Sequence, residues 1–317
     1  EQDSRPFMYL HNDHPYDGGV PYMNSLYSSP VEKYGNPDMV QTAENIAAKL
    51  GITREECDAF ALRSQMLAKD AIERWASMGV IVGEEGKFRP DDPLTRAEMA
   101  VILNRIMRYQ TTSQDRFTDL DEEWYVDAIQ KLRAAGVMVG DENNRAMPGE
   151  SITREAAVVL IARAFGIYPT QQELHYEDTE SISSWAVGYV SALSQAGYVR
   201  GGDNNCFFPS APLTRAEAVT IFNNMITACI SESGDYDYRP FEGLADFVII
   251  GADNVNILNF DIGGNILLTE GVDAETIRLK TVKHYGEIWQ YTYDGFKQHL
   301  KVYSYIVPVN ENLPVCS

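Results

Sequence analysis

Residues 93–98 read Pro-Leu-Thr-Arg-Ala-Glu, residues 212–217 read the same six letters, and residues 151–155 between them read Ser-Ile-Thr-Arg-Glu. Thr95, Thr153 and Thr214 stand 58 and then 61 residues apart. Near-constant spacing of this kind marks a repeat array, in which each unit is too small to bury its own apolar face and is completed by its neighbours. Working outward, each motif is preceded by an apolar segment that closes on a glycine, at residues 71–79, 128–136 and 187–197, and then by a glycine-rich loop.

The unit reads as helix, loop, helix. In the second copy Ala128, Ile129, Leu132 and Ala135 recur at spacings near three and four, which is one apolar stripe on a helix, and Gly136 suits the left-handed position that ends it. The loop over 137–152 holds Gly140-Asp141-Glu142-Asn143-Asn144 and Pro148-Gly149, turn residues without helical or strand period. Thr153 then falls at an N-cap. Thr95 with Glu98, and Thr214 with Glu217, match the capping box, in which hydroxyl and carboxylate satisfy orphan amides reciprocally. The second copy has Ala156 at that third position and its glutamate displaced to Glu155, so its cap is expected to be weaker. The second helices carry apolar stripes such as Ala100, Val101, Leu103, Ile106 and Met107, which read as core.

These residues resemble the S-layer homology family. The resemblance rests on an aromatic and acidic opening (Phe117-Thr118-Asp119 with Trp124; Tyr176-Glu177-Asp178 with Trp185) and on first helices that end in Ala-Gly or Met-Gly. It rests further on a loop with an aromatic before proline (Phe88-Arg89-Pro90; Phe208-Pro209) and on Thr-Arg-Ala-Glu at the second helix. It implies a mainly helical pseudo-trimer over residues 60–230, with repeats at 60–110, 117–168 and 176–230. It also implies binding to the secondary cell-wall polysaccharide of Gram-positive-type envelopes, often through a pyruvylated terminal amino sugar. The protein would then be extracellular, held noncovalently at the cell wall or surface layer.

An anionic sugar is recognised by a planar donor fork, a stacking surface and backbone amides, and an arginine at a helix N-terminus offers the first while the helix end offers the last. The candidate glycan-binding residues are Arg96, Arg154 and Arg215 at the first position of each second helix, Asp119 and Asp178, Trp124 and Trp185, and the loop glycines Gly83, Gly140 and Gly201. A cation at the positive end of a helix is unfavourable by about 0.3–1 kcal/mol, so a recurrent arginine there suggests a task. The competing structural reading pairs each arginine with a carboxylate of the neighbouring copy, Asp119 and Asp178 being candidates. The tryptophans either stack on a sugar ring or bury at the base of the first helix. Thr95, Glu98, Thr153, Thr214 and Glu217 are expected to cap helices, while Arg215 projects outward from between its capping neighbours. Copy one departs from the pattern, with Leu62 and Leu67 where the others have aspartate and tryptophan, so the sites of copies two and three rank above it.

The flanks differ in kind. Residues 1–37, rich in Pro, Gly and Tyr, read as an extended arm, and His11 and His14 there as loop histidines rather than a metal pair. Residues 38–69, with Thr42-Ala43-Glu44-Asn45-Ile46-Ala47 and Gly51-Ile52-Thr53-Arg54-Glu55-Glu56, resemble a helical segment of thiolases. No cysteine has the glycine-rich context of a thiolase nucleophile, so activity does not follow. Over 235–317, β-branched and aromatic runs at 247–250, 255–260, 266–269, 276–282, 288–293 and 302–307 alternate with Gly, Asn and Asp clusters, and Gly263-Gly264-Asn265 reads as a hairpin turn. The expectation is a small antiparallel β domain, a sandwich or barrel. The whole is expected to be an α+β multidomain chain, a helical pseudo-trimer followed by that β domain.

Composition bounds the function. With 26 basic and 46 acidic residues among 317 and a formal charge of −20, the chain repels phosphate backbones, and nucleic acid is not an expected partner. It has no run of 18 apolar residues and opens Glu1-Gln2-Asp3-Ser4 rather than on a basic segment, so neither a membrane span nor a signal peptide is expected. Cys57, Cys206, Cys229 and Cys316 show neither CxxC nor zinc spacing. No metal, cofactor or catalytic residue is assigned. The leading function is a wall-anchored surface protein with display or assembly flanks, partnered by the polysaccharide and by other surface-layer subunits. The alternatives are a wall-localised enzyme, either glycan-active or a thiolase-related acyltransferase, and a purely structural surface-layer subunit.

Overall fold

The computed structural model describes residues 69–83, 87–121 and 123–293, together with residues 7–9, 22–24, 53 and 298–303. The chain forms two compact units, Glu1–Lys69 and Asp70–Ser317. In the first, β1 (Phe7–Tyr9) pairs antiparallel with β2 (Tyr22–Asn24). The rest of the expected arm, the thiolase-like segment apart from Thr53 and Lys69, Leu62 and Leu67, His11, His14, Cys57 and Cys316 lie outside the described residues.

The described α-helices are α1 (residues 69–77, of which 70–77 belong to the second unit), α2 (Arg96–Met107), α3 (Val126–Ala134), α4 (Arg154–Ala164), α5 (Val187–Gln195) and α6 (Arg215–Met225). Their starts follow the local chemistry. Thr95 accepts from the Glu98 amide while the Glu98 carboxylate accepts from the Thr95 amide at 2.7 Å, and Thr214 with Glu217 does the same at 2.8 Å. Thr153 accepts from the Ala156 amide at 3.3 Å with no carboxylate returning the bond. Gly136 ends its helix at φ +70°, the left-handed conformation a side chain resists.

The first helix of one copy packs on the second helix of the copy before it: α3 on α2, and α5 on α4. Trp75 of α1 meets Phe222 of α6, ring centroids 6.0 Å apart, so the last copy leans on the first. At the centre the loops interlock. The amide of Leu94 donates to the Leu213 carbonyl, that of Leu213 to Ile152, and that of Ile152 to Leu94, each at 2.9 Å. All three side chains are fully buried, and the ring satisfies backbone groups that would otherwise be orphaned in the core.

Beyond α6 the chain continues into β3 (Ile226–Ile230), β4 (Gly234–Asp237), β5 (Phe247–Ile250), β6 (Val255–Leu258), β7 (Asp261–Ile262), β8 (Ile266–Leu268), β9 (Arg278–Lys280), β10 (Lys283–His284), β11 (Ile288–Tyr293) and β12 (Gln298–Tyr303). These build sheets of order β12-β11-β8-β5-β3, β4-β6-β9 and β10-β7. Every pairing is parallel except β12 on β11. Ala228, Val248, Ile266 and Ile288 stack in register, 18 to 22 residues apart, which is a β-solenoid of about three turns.

The expected fold, a mainly helical pseudo-trimer followed by an antiparallel sandwich or barrel, is therefore corrected: six helices and a parallel solenoid share one unit. The reason lies in the strands. Phe247 and Ile249 of β5 pack into the helical core while Val248 and Ile250 fill the solenoid interior, and Leu267 of β8 and Trp289 of β11 join Phe247 on the helical side. A sheet covered on both faces carries continuous apolar runs such as Phe-Val-Ile-Ile, as parallel sheets do. Gly263-Gly264-Asn265 is no hairpin but a corner between sheets, where the Asn265 side chain accepts from the Glu287 amide of the next turn at 2.8 Å. Arg74 of α1 donates to the Ile226 and Thr227 carbonyls at 3.0 and 2.9 Å, covering the edge of β3 that would otherwise invite pairing.

Candidate functional site

The three arginines occupy one geometry. Nε of Arg96 donates to the Ala146 carbonyl at 2.7 Å, Nε of Arg154 to Phe207 at 2.9 Å, and Nε of Arg215 to Phe88 at 2.8 Å. Each arginine thus reaches the loop of the next copy around the ring. The helix-start amides are already taken: those of Arg96, Arg154 and Arg215 donate to Glu150, Ala211 and Asp92. An anion at these junctions would meet guanidinium and not free helix amides.

The carboxylates divide differently from the expected pairing. Asp119 accepts from the amides of Ala146 and Met147 at 2.8 and 2.7 Å, and Asp178 from those of Phe207 and Phe208 at 2.7 Å each. Both clamp the returning segment of the loop, where Met147 and Phe208 sit at φ +54° and +57°. Two of the arginines pair instead with capping glutamates of the neighbouring copy: Arg154 with Glu217 at 2.6 Å, and Arg215 with Glu98 at 3.6 Å. Arg215, only 6% exposed, does not project outward; it also donates to the Val82 carbonyl at 2.9 Å and lies over the Phe88 ring. Arg154 lies likewise over Phe207.

Grooves open at the three junctions. One, of about 130 Å³, is lined by Val82, Glu98, Arg105, Arg215 and Trp124; a second, of about 390 Å³, by Arg96, Gly140, Ala156, Arg163 and Trp185; a third, of about 440 Å³, by Arg154, Gly201, Phe208, Glu217 and Asn224. Trp124 and Trp185 are 63% and 52% exposed rather than buried under their helices. Gly140 forms part of a groove wall because a Cβ there would stand 2.5 Å from the Phe117 ring and 2.9 Å from the Arg145 carbonyl. Gly201 approaches the Tyr176 ring in the same way, and Gly83 the Lys87 carbonyl. Among the described residues no cluster of three or more His, Cys, Asp and Glu is placed to hold a metal ion.

Two determinants escaped sequence reasoning. The residue under each arginine is Phe88, Ala146 or Phe207, one place earlier than the aromatic before proline in copy three suggested. Glu155, nearly buried, accepts from the amide and hydroxyl of Ser183 at 2.9 and 2.8 Å and so fixes the turn that carries Trp185. The signal was present: copies one and three read Arg-Ala-Glu, and copy two reads Arg-Glu-Ala.

A protein-family model described as the S-layer homology domain matches residues 65–100, 116–158 and 175–219. A second, the thiolase N-terminal domain, matches residues 18–82, most of them outside the described residues. Similar proteins include the amylopullulanase of Thermoanaerobacterium thermosulfurigenes, 34% identical over 50% of this chain and 9% of its own length. The surface-layer 125 kDa protein of Lysinibacillus sphaericus is 27% identical over 50% of this chain and 14% of its own. The cellulosome-anchoring protein of Acetivibrio thermocellus is 29% identical over 44% of this chain and 34% of its own. The chain thus spans about a third or less of the length of these relatives.

Proposed function

The chain carries three S-layer homology domains and is a wall-anchored surface protein, and we propose that its anchor is a secondary cell-wall polysaccharide held in the grooves between the repeats. The observation that carries this reading is the recurrent junction itself. A guanidinium is positioned by a loop carbonyl, a glycine admits close approach, and in two grooves an exposed tryptophan stands beside the arginine. A planar cation recognises a sugar carboxylate bidentately, and an indole face covers a pyranose ring. The chain's charge of −20 makes these arginines local exceptions in a field that repels most polyanions, so binding should depend on docking in the groove rather than on bulk attraction.

Asp119 and Asp178 act in this reading as clamps that shape the loops, and Thr95, Glu98, Thr153, Thr214 and Glu217 as caps that fix the helix starts. The domain organisation we adopt is three repeats at 60–110, 117–168 and 176–230, with residues 1–37 and 38–69 before them and the β-rich region from 235 to 317 as a display or assembly part. Other surface-layer subunits are its further candidate partners. No catalytic role is assigned, since the relatives named as enzymes match over the repeat region alone. Among the described residues no helix is long and apolar enough to cross a membrane. The test is sedimentation of the full chain with cell-wall sacculi that retain their secondary polymer or have been stripped of it. Pelleting that disappears with the polymer is expected. Equal pelleting with both, or with neither, would overturn the reading.

A further inference from the structure

The three arginines are not equally occupied. Arg154 uses Nε on Phe207, one terminal nitrogen on Glu217 and the other on the Arg200 carbonyl at 3.4 Å. Arg215 uses Nε on Phe88, one terminal nitrogen on the Val82 carbonyl and the other toward Glu98. Each also lies over an aromatic ring, 5.3 Å from Phe207 and 5.2 Å from Phe88. Arg96 keeps only the Nε bond to Ala146. Its two terminal nitrogens, with four N–H donors, have no partner among the described residues.

Two sequence differences in copy two produce this. Ala146 stands where the other loops place phenylalanine, so among the described residues no aromatic ring lies under the guanidinium. Ala156 stands where α2 and α6 carry Glu98 and Glu217, so among the described residues no capping glutamate pairs with it. The displaced Glu155 is bonded to Ser183 instead, and Asp141 at the same groove is bonded to Arg145 at 2.7 Å. Arg163 adds a second guanidinium to the wall, and Trp185 an indole. One junction therefore offers two cations and a stacking face with no carboxylate directly paired to Arg96 among the described residues, the carboxylates of Glu150, Asp119 and Asp141 acting on it only through space, while the other two contain a directly paired counter-ion.

We infer that the Arg96 groove is the standing oxyanion site of this chain, taking a carboxylate or phosphate group on the wall glycan, and that Glu98 and Glu217 latch the other two grooves shut against such a group. This rests on the wall-binding reading above and assigns its three junctions unequal parts. The latch is a competition, since a ligand oxyanion entering at Arg154 or Arg215 must displace a glutamate already in place, whereas at Arg96 there is no directly paired carboxylate to displace among the described residues.

The test uses the full chain, sacculi that retain their polymer, and four variants. Ala156→Glu installs the missing latch and at the same time completes the capping box of α4, so its melting temperature should hold or rise while its affinity for sacculi falls roughly tenfold or more, the range for losing one charge-assisted pair. Arg96→Gln should lose a comparable factor. Glu217→Gln and Glu98→Gln retain a capping side chain but remove the latch charge, and affinity should rise. Methyl glucuronide and glucose 1-phosphate, each compared with sodium chloride at equal ionic strength, serve as competitors: displacement by the first names a carboxylate, by the second a phosphate, and by neither overturns the oxyanion assignment. Wild-type affinity in Ala156→Glu or in Arg96→Gln, or a loss in Glu217→Gln matching that of Ala156→Glu, would overturn the inequality while leaving wall binding intact. Failure of the wild-type chain to pellet would instead overturn the wall-binding reading on which the inference depends.

Discussion

Asp178→Ala removes a carboxylate that holds two backbone amides at once. Its oxygens accept from Phe207 and Phe208 at 2.7 Å each, and the Phe207 side chain between them is fully buried. Hydrogen bonds to a charged group contribute about 1.5–3 kcal/mol each, so two at the low end come to about 3 kcal/mol. Phe208 adds to this, because its φ of +57° is unfavourable for a side-chain-bearing residue and persists only while neighbours impose it. Asp178→Asn keeps one acceptor oxygen and presents an NH2 to the other amide, so it should cost about half as much. Urea unfolding of the full chain measures both, with an unchanged slope showing that the midpoint shift reports stability. The effect should carry into the groove, since Arg154 is positioned by the Phe207 carbonyl. A loss below about 0.5 kcal/mol for the alanine variant, or equal losses for alanine and asparagine, would refute the two-amide clamp.

Arg215→Ala should destabilise by about 2–3 kcal/mol in the same assay, because it strands the carbonyls of Phe88 and Val82, and a neutral or stabilising result would restore the dipole argument made from sequence. Gly140→Ala places a Cβ against the Phe117 ring at a φ of +76° and should cost about 2 kcal/mol or more by thermal melting; tolerance would mean that the loop is not held as described. Tyr291, whose hydroxyl donates to the Arg163 carbonyl, has its pKa pushed up to about 12 by burial above all. The folded state then keeps a proton that the unfolded state releases near pH 10, so this contribution is whole below pH 10 and lost as pH rises toward 12. Tyrosine ionisation followed by ultraviolet absorbance should show a late group coincident with unfolding, and Tyr291→Phe should flatten the alkaline limb; an unchanged limb would contradict the assignment.

What the sequence made legible was whatever local chemistry decides. Thr95 and Thr214 announce their caps through Glu98 and Glu217, Gly136 announces a helix end, and the weaker cap at Thr153 follows from Ala156 alone. What stayed hidden depends on residues distant in the chain. The partner of Arg215 is Glu98, and the role of Asp178 depends on amides in a loop that only the fold brings to it. The solenoid was misread for a related reason. Short β-branched runs between Asn and Gly suit a hairpin as well as a corner, and only the cover supplied by the helices on Phe247, Ile249 and Leu267 explains why alternate positions are apolar on both faces. A spacing of 18 to 22 residues linking Ala228, Val248, Ile266 and Ile288 was present in the letters but carried no repeated motif to mark it.

The central claim, that the repeat junctions hold a wall glycan, is tested most directly by titrating the full chain with purified secondary cell-wall polymer while following tryptophan fluorescence. Trp124 and Trp185 are exposed at two grooves, whereas Trp75 and Trp289 are buried and should not respond. The account predicts a saturable change that is abolished in the Trp124→Ala, Trp185→Ala double variant, with affinity falling in that variant by roughly tenfold or more. Absence of binding by the wild-type chain, or undiminished affinity in the double variant, would contradict it.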